Sequence, residues 1–301
     1  MSEALALTPR GPFSLKAAAE FGIGPNQGRP QSFDGVMRLA FPVDGGQGHA
    51  GAVLAQPEPD GPLTVELHTR GGADPVAALA QVARILSLDH DGREFIRVGE
   101  RDPVLKALQR AHPGQRPVLF HSPYEAAGWS IISARRQAPQ AAQVRAAISE
   151  SLGESFTLAQ RPAAAFPQPE RLLELPEDTP GLTPERVQRL RGVARAALAG
   201  ELDVARLHEL GPEQAYAEVQ RLKGLGPFYA GLVVLRASGF ADAPLMAPEP
   251  KVMGHAARLY GLAGPLTLAR FAELSESWRP FRTWATVLLR LGGDRSADPQ
   301  G

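Results

Sequence analysis

Residues 222–236 read LKGLGPFYAGLVVLR, and this stretch decides the fold. An amphipathic run ends at Leu222, a short turn contains Gly224 and Gly226, and an apolar helix is predicted to begin at Pro227. A tight turn between two helices needs positive φ, which glycine adopts at little cost. The stretch therefore predicts two helices joined by a glycine-containing turn.

The same turn is suited to holding an anion. The backbone N–H groups of Gly224, Leu225 and Gly226 can approach a ligand closely, because the glycines lack β-carbons. The unpaired amides and the positive dipole end of the following helix face the same point. We predict a helix-hairpin-helix motif that binds one DNA phosphate without reading base sequence. The spacing alone equally allows a glycine-containing corner of an all-helical protein.

The composition indicates a globular protein with a large core. The chain has 301 residues, of which 44% are hydrophobic, and this length suggests two or three domains. Lys plus Arg and Asp plus Glu number 32 each, so a nucleic acid must be bound through local geometry rather than through an overall basic charge. The absence of cysteine excludes disulfides and iron–sulfur clusters. No cofactor is expected, and the sequence leaves open whether the hairpin binds a monovalent cation.

The chain shows no targeting or membrane signal. Its first residues lack an apolar run of signal-peptide length, and no stretch approaches about 18 uninterrupted apolar residues. We therefore expect a cytoplasmic, nucleoid-associated protein with no membrane partner. A monomer is the expectation for its oligomeric state, on which the sequence itself is silent.

Hydrophobic periodicity divides the chain into two parts. Residues 1–115 predict an α+β domain with an antiparallel sheet, whose strands span 36–42, 50–56 and 63–69 and whose helices span 75–88 and 103–111. Residues 116–301 predict a mainly α-helical, two-lobed part with a cleft between the lobes. Its helices are predicted at 123–135, 140–152, 184–198, 212–222, 228–237, 250–260, 266–274 and 280–291. The Pro-rich stretch 159–178 is predicted to be a surface loop or crossover.

An acidic residue follows the hairpin at a predicted helix start. In the sequence Met246-Ala-Pro-Glu-Pro-Lys-Val252, Pro250 fits the first helical position, which makes Glu249 the N-cap. Glu is a poor N-cap compared with Asp, Asn, Ser or Thr, so capping alone explains it badly. A carboxylate held there suits the stabilisation of an oxocarbenium-like sugar, or the orientation of a water, while a glycosidic bond breaks. A solvated acidic residue in a Pro-rich loop is the alternative.

The hairpin, the apolar second helix and the acidic helix start together resemble the helix-hairpin-helix DNA glycosylase superfamily, and within it the AlkA-type 3-methyladenine DNA glycosylases II. Three further stretches carry the resemblance: DPVL at 102–105, PVLFHSPYEAA at 117–127 and WRPFRTWA at 278–285. The resemblance implies a monofunctional enzyme that flips an alkylated purine, such as 3-methyladenine or 7-methylguanine, out of double-stranded DNA and hydrolyses its N-glycosidic bond.

The resemblance also assigns roles near the hairpin. Bifunctional relatives carry a nucleophilic Lys two residues after the second hairpin glycine; Phe228 occupies that position, so no AP-lyase step is expected. Lys223 is expected to contact phosphate. The catalytic residue of the family is Asp, and its place is taken by Glu249, which leaves open whether full activity is kept. Asp242 is a second candidate for the acid.

Two further sets of side chains are assigned by resemblance. Arg135, followed by Arg136, occupies the place of the wedge that fills the gap left by a flipped nucleotide, although two solvated arginines at a helix end fit equally well. Four aromatic residues are predicted to line the base pocket and to stack on an electron-poor alkylated base: Phe228, Tyr229, Trp129 and Trp284. Aromatic residues at helical spacing are also typical of a core.

Two other functions stay open at this point. The chain is either a catalytically impaired protein that binds damaged DNA through the hairpin, or a helical interaction protein that does not bind DNA. Only phosphate contact gives binding a steep salt dependence. The salt dependence of DNA binding therefore separates an interaction protein that does not bind DNA from the glycosylase and from the impaired DNA-binding protein.

Overall fold

The computed structural model describes residues 3–22, 33–45 and 47–295. Its amino-terminal part is built on four antiparallel strands, β1 (Glu3–Leu7), β2 (Val36–Pro42), β3 (His49–Ala55) and β4 (Leu63–Arg70). Their order in the sheet is β1-β4-β3-β2. The sequence predicted β2 with the observed bounds and placed β3 and β4 within one residue, whereas β1 was not predicted.

One face of the sheet carries the core of this part. Along β4, Leu63, Val65 and Leu67 are buried while Thr64 and Glu66 between them are exposed, as the two-residue period of a strand requires. Helices α1 (Leu15–Phe21) and α2 (Pro75–Ile85) cover the buried face. Helix α1 was not predicted, and α2 ends three residues earlier than expected.

The opposite face is covered by a segment from the middle of the chain. The strands β5 (Ser155–Leu158) and β6 (Arg161–Ala164) form a hairpin whose Phe156 and Leu158 pack against Ala40 and Val53 of the sheet. Gly51 makes room for this contact, because a β-carbon there would lie 2.7 Å from Cδ1 of Phe156. The prediction of a surface loop or crossover over 159–178 was therefore wrong for residues 161–164, which form strand β6 of this hairpin.

Helices make up most of the rest. They are α3 (Gly92–Arg101), α4 (Pro103–Ala111), α5 (Pro123–Ser133), α6 (Ala138–Leu152), α7 (Pro169–Leu172), α8 (Pro184–Leu198), α9 (Val204–Gln220), α10 (Pro227–Ala237), α11 (Pro250–Leu259), α12 (Leu268–Ser275) and α13 (Arg282–Arg295). The predicted bounds of α4 and α8 agree with the structure, whereas α3 was not predicted. Helix α9 is kinked at Gly211, whose φ is 73°, and its second half begins at the predicted Pro212.

Helices α3 and α4 belong to the helical core, although they precede residue 115. Phe95 and Leu105 are buried in that core, and the ring of Phe95 lies 5.3 Å from the ring of Trp284 on α13. No helix among residues 3–22, 33–45 and 47–295 is long and apolar enough to cross a membrane.

Buried arginines join helix α2 and the segment 118–120 to the carboxyl end of α10. Arg84 on α2 donates through Nη1 to the carbonyl of Ala237 at 2.6 Å. Arg236 donates through Nη2 to the carbonyl of Val118, and the N–H of Phe120 donates to the carbonyl of Arg236 at 2.7 Å. Helix α10 is thereby fixed against the amino-terminal part, and with it the hairpin at its other end.

Candidate active site

The hairpin turn between α9 and α10 has the predicted glycine geometry. Gly224 has a φ of +100°, and the N–H of Leu225 donates to the carbonyl of Leu222 at 2.9 Å. Gly226 is the N-cap of α10 and Pro227 its first residue, which confirms the helix start predicted from the sequence.

The two glycines of the turn face different surroundings. A β-carbon on Gly224 would lie 2.8 Å from Cδ1 of Ile131 and 2.9 Å from Cδ of Arg189, so this edge of the turn is packed against α5 and α8. A β-carbon on Gly226 would meet nothing within 4 Å. The second glycine therefore presents the backbone at the start of α10 to open space, where an anion can approach it.

Glu249 is the N-cap of α11, as predicted. Its φ and ψ of −119° and 98° are extended, and its Oε2 accepts from the N–H of Val252. Its Oε1 accepts from Nη1 of Arg290 on α13 at 2.9 Å. The side chain of Glu249 is 18% exposed, and two of the roughly four lone-pair positions of a carboxylate are occupied by these donors. The remaining positions are available to a ligand.

The other end of α11 is also fixed. The hydroxyl of Tyr260 donates to Oδ2 of Asp102 at 2.6 Å, and Nε1 of Trp278 donates to the same oxygen at 3.0 Å. Asp102 also caps α4 through the N–H groups of Val104 and Leu105. A buried hydrogen-bond network therefore sets the direction in which α11 presents Glu249.

Glu249 and the start of α10 line one pocket. Its volume is about 90 Å³, and its walls come from α10, the segment 245–249, α11 and α13. Phe228, Leu232, Leu235 and Val287 make much of the wall apolar. The full lining is Phe228, Gly231, Leu232, Leu235, Arg236, Leu245, Ala247, Glu249, Val252, Thr283, Thr286, Val287 and Arg290. The pocket places a single carboxylate beside a largely apolar wall, as in sites that bind small organic groups.

Known proteins share this architecture. The chain is 26% identical over 207 residues to the DNA-3-methyladenine glycosylase of Bacillus subtilis (strain 168), a match that covers 67% of each protein. No protein-family model matches the chain. Among solved structures, the 3-methyladenine DNA-glycosylase of Archaeoglobus fulgidus aligns with a TM-score of 0.77 and 21% identity, over 98% of this chain and all of that one. The chain has the helix-hairpin-helix glycosylase fold.

The fold is also similar to that of a glycosylase/lyase named for 8-oxoguanine. The 8-oxoguanine glycosylase/lyase of Clostridium acetobutylicum, solved with double-stranded DNA containing cytosine opposite 8-oxoguanine, aligns with a TM-score of 0.65 and 17% identity. The alignment covers 99% of this chain and 98% of that one. These similarities confirm the resemblance to helix-hairpin-helix glycosylases and the α+β class with a mainly helical second part.

Of the four aromatic residues predicted for the pocket, Phe228 alone is among the described residues that line it. Phe228 is 46% exposed and meets Tyr229 edge to face at 5.3 Å. Trp129 is buried in the helical core. Trp284 is 2% exposed and packs on Phe95 and Phe281, because α13 turns residues 283, 286, 287 and 290 toward the pocket and residue 284 away from it. Both tryptophans therefore take the core position that helical spacing also allowed.

The predicted wedge lies at the end of α5. Arg135 has a φ of 52°, and its exposed side chain projects beyond the helix. Such a φ costs an L-residue roughly 1–2 kcal/mol, so the backbone at Arg135 is held in place by its surroundings. Arg136 is used within the fold, since it donates to the carbonyls of Ile132 and Gly181.

A cluster of arginines surrounds this helix end. Arg186 on α8 donates to the carbonyls of Ile131, Ile132 and Ala134, at the carboxyl end of α5. Burial lowers the pKa of Arg186, and the neighbouring charges of Arg136 and Arg189 lower it further. The cluster concentrates positive charge beside the hairpin in a chain with no net charge.

Two arginines of the site were not found from the sequence. Arg290 pairs with Glu249 from 41 residues away, and Arg236 lines the pocket with its side chain buried. Burial lowers the pKa of Arg236 to about 9, and the charge of Arg290 contributes to this shift. The helical spacing of Thr283, Thr286 and Arg290 was the available signal, because it places three polar side chains on one face of a helix.

The second candidate acid, Asp242, is held by arginines of the fold. Asp242 accepts from Arg279 at 3.0 Å, and from the N–H, Nε and Nη2 of Arg282 at 3.0–3.1 Å. With both oxygens occupied by arginines, it does not face the pocket that Glu249 lines. Among the residues that the structure describes, no group of three or more His, Asp or Glu side chains is arranged to hold a metal ion.

Proposed function

We propose that this protein is a DNA glycosylase of base excision repair that removes alkylated purines from double-stranded DNA. The observation that carries the proposal is Glu249, a carboxylate at a helix start, in one apolar pocket with the first turn of α10. The relatives named above, two of them 3-methyladenine glycosylases and one solved with double-stranded DNA, support the same reaction class.

In the proposed complex, the amides of Gly224 and Gly226 and the exposed Lys223 hold a backbone phosphate of the damaged strand, whereas the N–H of Leu225 stays bonded to the carbonyl of Leu222. Arg135 occupies the space that the flipped nucleotide leaves, and the flipped base enters the pocket beside Phe228. An alkylated purine carries positive charge, and an aromatic face stabilises such a ring by a cation–π interaction. A damaged base also costs less to unpair, which contributes to selectivity.

Glu249 acts on the bond that breaks. As the N-glycosidic bond lengthens, positive charge develops on the deoxyribose, and a fixed carboxylate beside it stabilises the transition state more than the ground state. Arg290 and the N–H of Val252 hold the carboxylate in place, so little reorganisation is needed during the reaction. Water then completes the hydrolysis and leaves an abasic site.

We propose that the enzyme is monofunctional. An AP-lyase step needs an amine that forms a Schiff base with the sugar. No lysine is among the described residues that line the pocket, and Phe228 lies at the start of α10. The absence of a lyase step is tested by borohydride trapping, which should give no covalent complex with lesion-containing DNA.

The decisive experiment is a panel of duplexes that each carry one lesion, incubated with wild type or with Glu249→Gln and then cleaved by alkali at abasic sites. We expect wild type to excise alkylated purines, and Glu249→Gln to bind the same duplexes without excising. A wild-type protein that binds the lesions but excises none would refute the enzymatic proposal.

A further inference from the structure

A second groove lies beside the hairpin, on the side of α8. It has a volume of about 370 Å³ and runs between one face of α8 and the turn at 221–223. The residues of α8 that line it include Glu185, Arg189, Gly192 and Arg195, which share a face because they are spaced by three or four positions. None of the residues that line this groove lines the pocket beside Glu249.

The groove is strongly basic. Arg189, Arg195, Arg221 and Lys223 line it, against the single carboxylate of Glu185. Arg189 pairs with Glu185, and the 76% exposed Arg221 pairs with Glu218 outside the groove. Each pair joins a well-exposed side chain to a partly exposed one within a single stretch of helix, and such pairs contribute little, so the arginines can exchange their partners for an anion.

Two of the four cations have no partner in the fold. The exposed side chains of Arg195 and Lys223 form no hydrogen bond or ion pair with any residue in 3–22, 33–45 or 47–295. Lys223 lies on the hairpin turn, and Arg195 lies on α8, less than two turns beyond Arg189. The free charges thus extend from the turn along the groove.

Gly192 marks the middle of the groove. A glycine inside a helix costs about 1 kcal/mol relative to Ala. A β-carbon at Gly192 would meet nothing within 4 Å, so no contact inside the protein requires its absence. Gly192 therefore leaves the backbone of α8 uncovered where it lines the basic groove.

We propose that this groove binds the sugar–phosphate backbone of DNA next to the phosphate held by the hairpin. The inference rests on the proposed function and extends its DNA-binding surface. One strand carries a phosphate every 3.4 Å or so along the helix axis, so a strand anchored at the turn brings its next phosphates past Lys223 toward Arg195. The chain is neutral overall, and such a local row of cations supplies the attraction that its net charge does not.

The test measures the salt dependence of binding to a duplex that contains a stable abasic-site analogue. Arg195→Ala should weaken binding and reduce the slope of log K against log salt by about 1, the value for one phosphate contact. Arg97→Ala, which removes an exposed arginine from α3, is the control for loss of charge and should leave the slope unchanged. The duplex is then shortened on one side of the lesion or on the other. Shortening on one side only should abolish the difference in binding between wild type and Arg195→Ala.

A second pair of variants tests the space in the groove without changing charge. Gly192→Ala should raise the melting temperature through helix propensity, and Gly192→Leu should do so too while filling the groove. We expect Gly192→Leu to weaken binding to the long duplex several-fold more than Gly192→Ala does.

Three results together refute the proposal that the groove binds DNA. Wild type excises a lesion, Arg195→Ala has the same salt slope as Arg97→Ala, and Gly192→Leu binds the long duplex as tightly as Gly192→Ala. Wild type that neither excises any lesion nor binds the duplex refutes the proposed function, and the groove with it.

Discussion

Nη1 of Arg290 lies 2.9 Å from Oε1 of Glu249, so an ion pair joins the start of α11 to the third turn of α13. The pair is partly buried, with side-chain exposures of 35% and 18%. Together with the N–H of Val252, it fixes both oxygens of the carboxylate. The position of the proposed catalytic group therefore depends on a residue that is distant in sequence.

Replacement of Arg290 by Ala should lower kcat for excision roughly 10- to 100-fold, because a misplacement of about 1 Å can cost a factor of 10². The dissociation constant for lesion-containing duplex should change less than kcat. Single-turnover excision and equilibrium binding measure the two effects separately. The control is Arg270→Ala, which removes an exposed ion pair with Glu273 on α12. A variant with normal kcat and weakened binding would assign Arg290 to DNA contact instead.

Glu249→Asp should separate stability from activity. Asp is the better N-cap, so the free energy of unfolding should stay the same or rise by a few tenths of a kcal/mol. The side chain becomes shorter by about 1.5 Å, which breaks the contact with Arg290 and should slow excision 10-fold or more. Urea unfolding and single-turnover excision check the two halves. Excision as fast as wild type would show that the pair with Arg290 is not needed.

The two hairpin glycines should fail in different ways when replaced by Ala. Gly224→Ala forces a β-carbon into a φ of +100° and within 2.8 Å of Ile131, so the protein should lose roughly 1–3 kcal/mol of stability. Gly226→Ala has an ordinary φ of −69° and open space around it, so it should fold normally but bind DNA less tightly. Thermal unfolding and equilibrium binding on both variants check this. Equal losses of stability would contradict the assignment of Gly226 to ligand approach.

A buried carboxylate should make stability depend on acid pH. Glu125 is 2% exposed and is bonded to Nδ1 of His121 at 2.7 Å and to Arg145. Although burial alone would raise the pKa of Glu125, the charges of Arg145 and His121 lower it to about 2, below the ordinary value of 4.5.

Because the folded-state pKa of Glu125 is depressed, its contribution is present above about pH 4.5 and is lost as the pH falls toward 2. Urea unfolding over this range should show a loss of roughly 3 kcal/mol from this group. Glu125→Gln should be less stable than wild type at neutral pH, and the difference should shrink toward pH 2. The exposed Glu174→Gln is the control and should run parallel to wild type. A constant difference at all pH values would contradict the depressed pKa.

The sequence predicted the elements that carry local signals. The turn at Gly224, the helix start at Pro227 and the N-cap at Glu249 were all found, since each depends on residues within a few positions of one another. The strands β2, β3 and β4 were found because each is bounded by turn residues. The strands of segment 155–164 were missed because they are short and pack on a sheet whose strands lie about 100 residues earlier in the sequence.

The candidate site was predicted less completely. Periodicity shows that a helix has an apolar face, but it does not show whether that face meets the core or a pocket, and so Trp129 and Trp284 were misassigned. The pair between Glu249 and Arg290 joins residues 41 positions apart, and no pattern in a single sequence reports such a contact. The helix phase of α13 decides both results, since it directs Arg290 inward and Trp284 toward α3.

The β5–β6 hairpin on the outer face of the sheet has a practical consequence. A fragment that stops at residue 115 would leave Ala40 and Val53 bare and would lose Phe156 from above Gly51. Its sheet would expose an apolar surface to other copies of the fragment, so such a fragment should aggregate when expressed alone. The two parts that follow one another along the chain therefore do not fold separately, and the protein has to be studied by point substitution rather than by truncation.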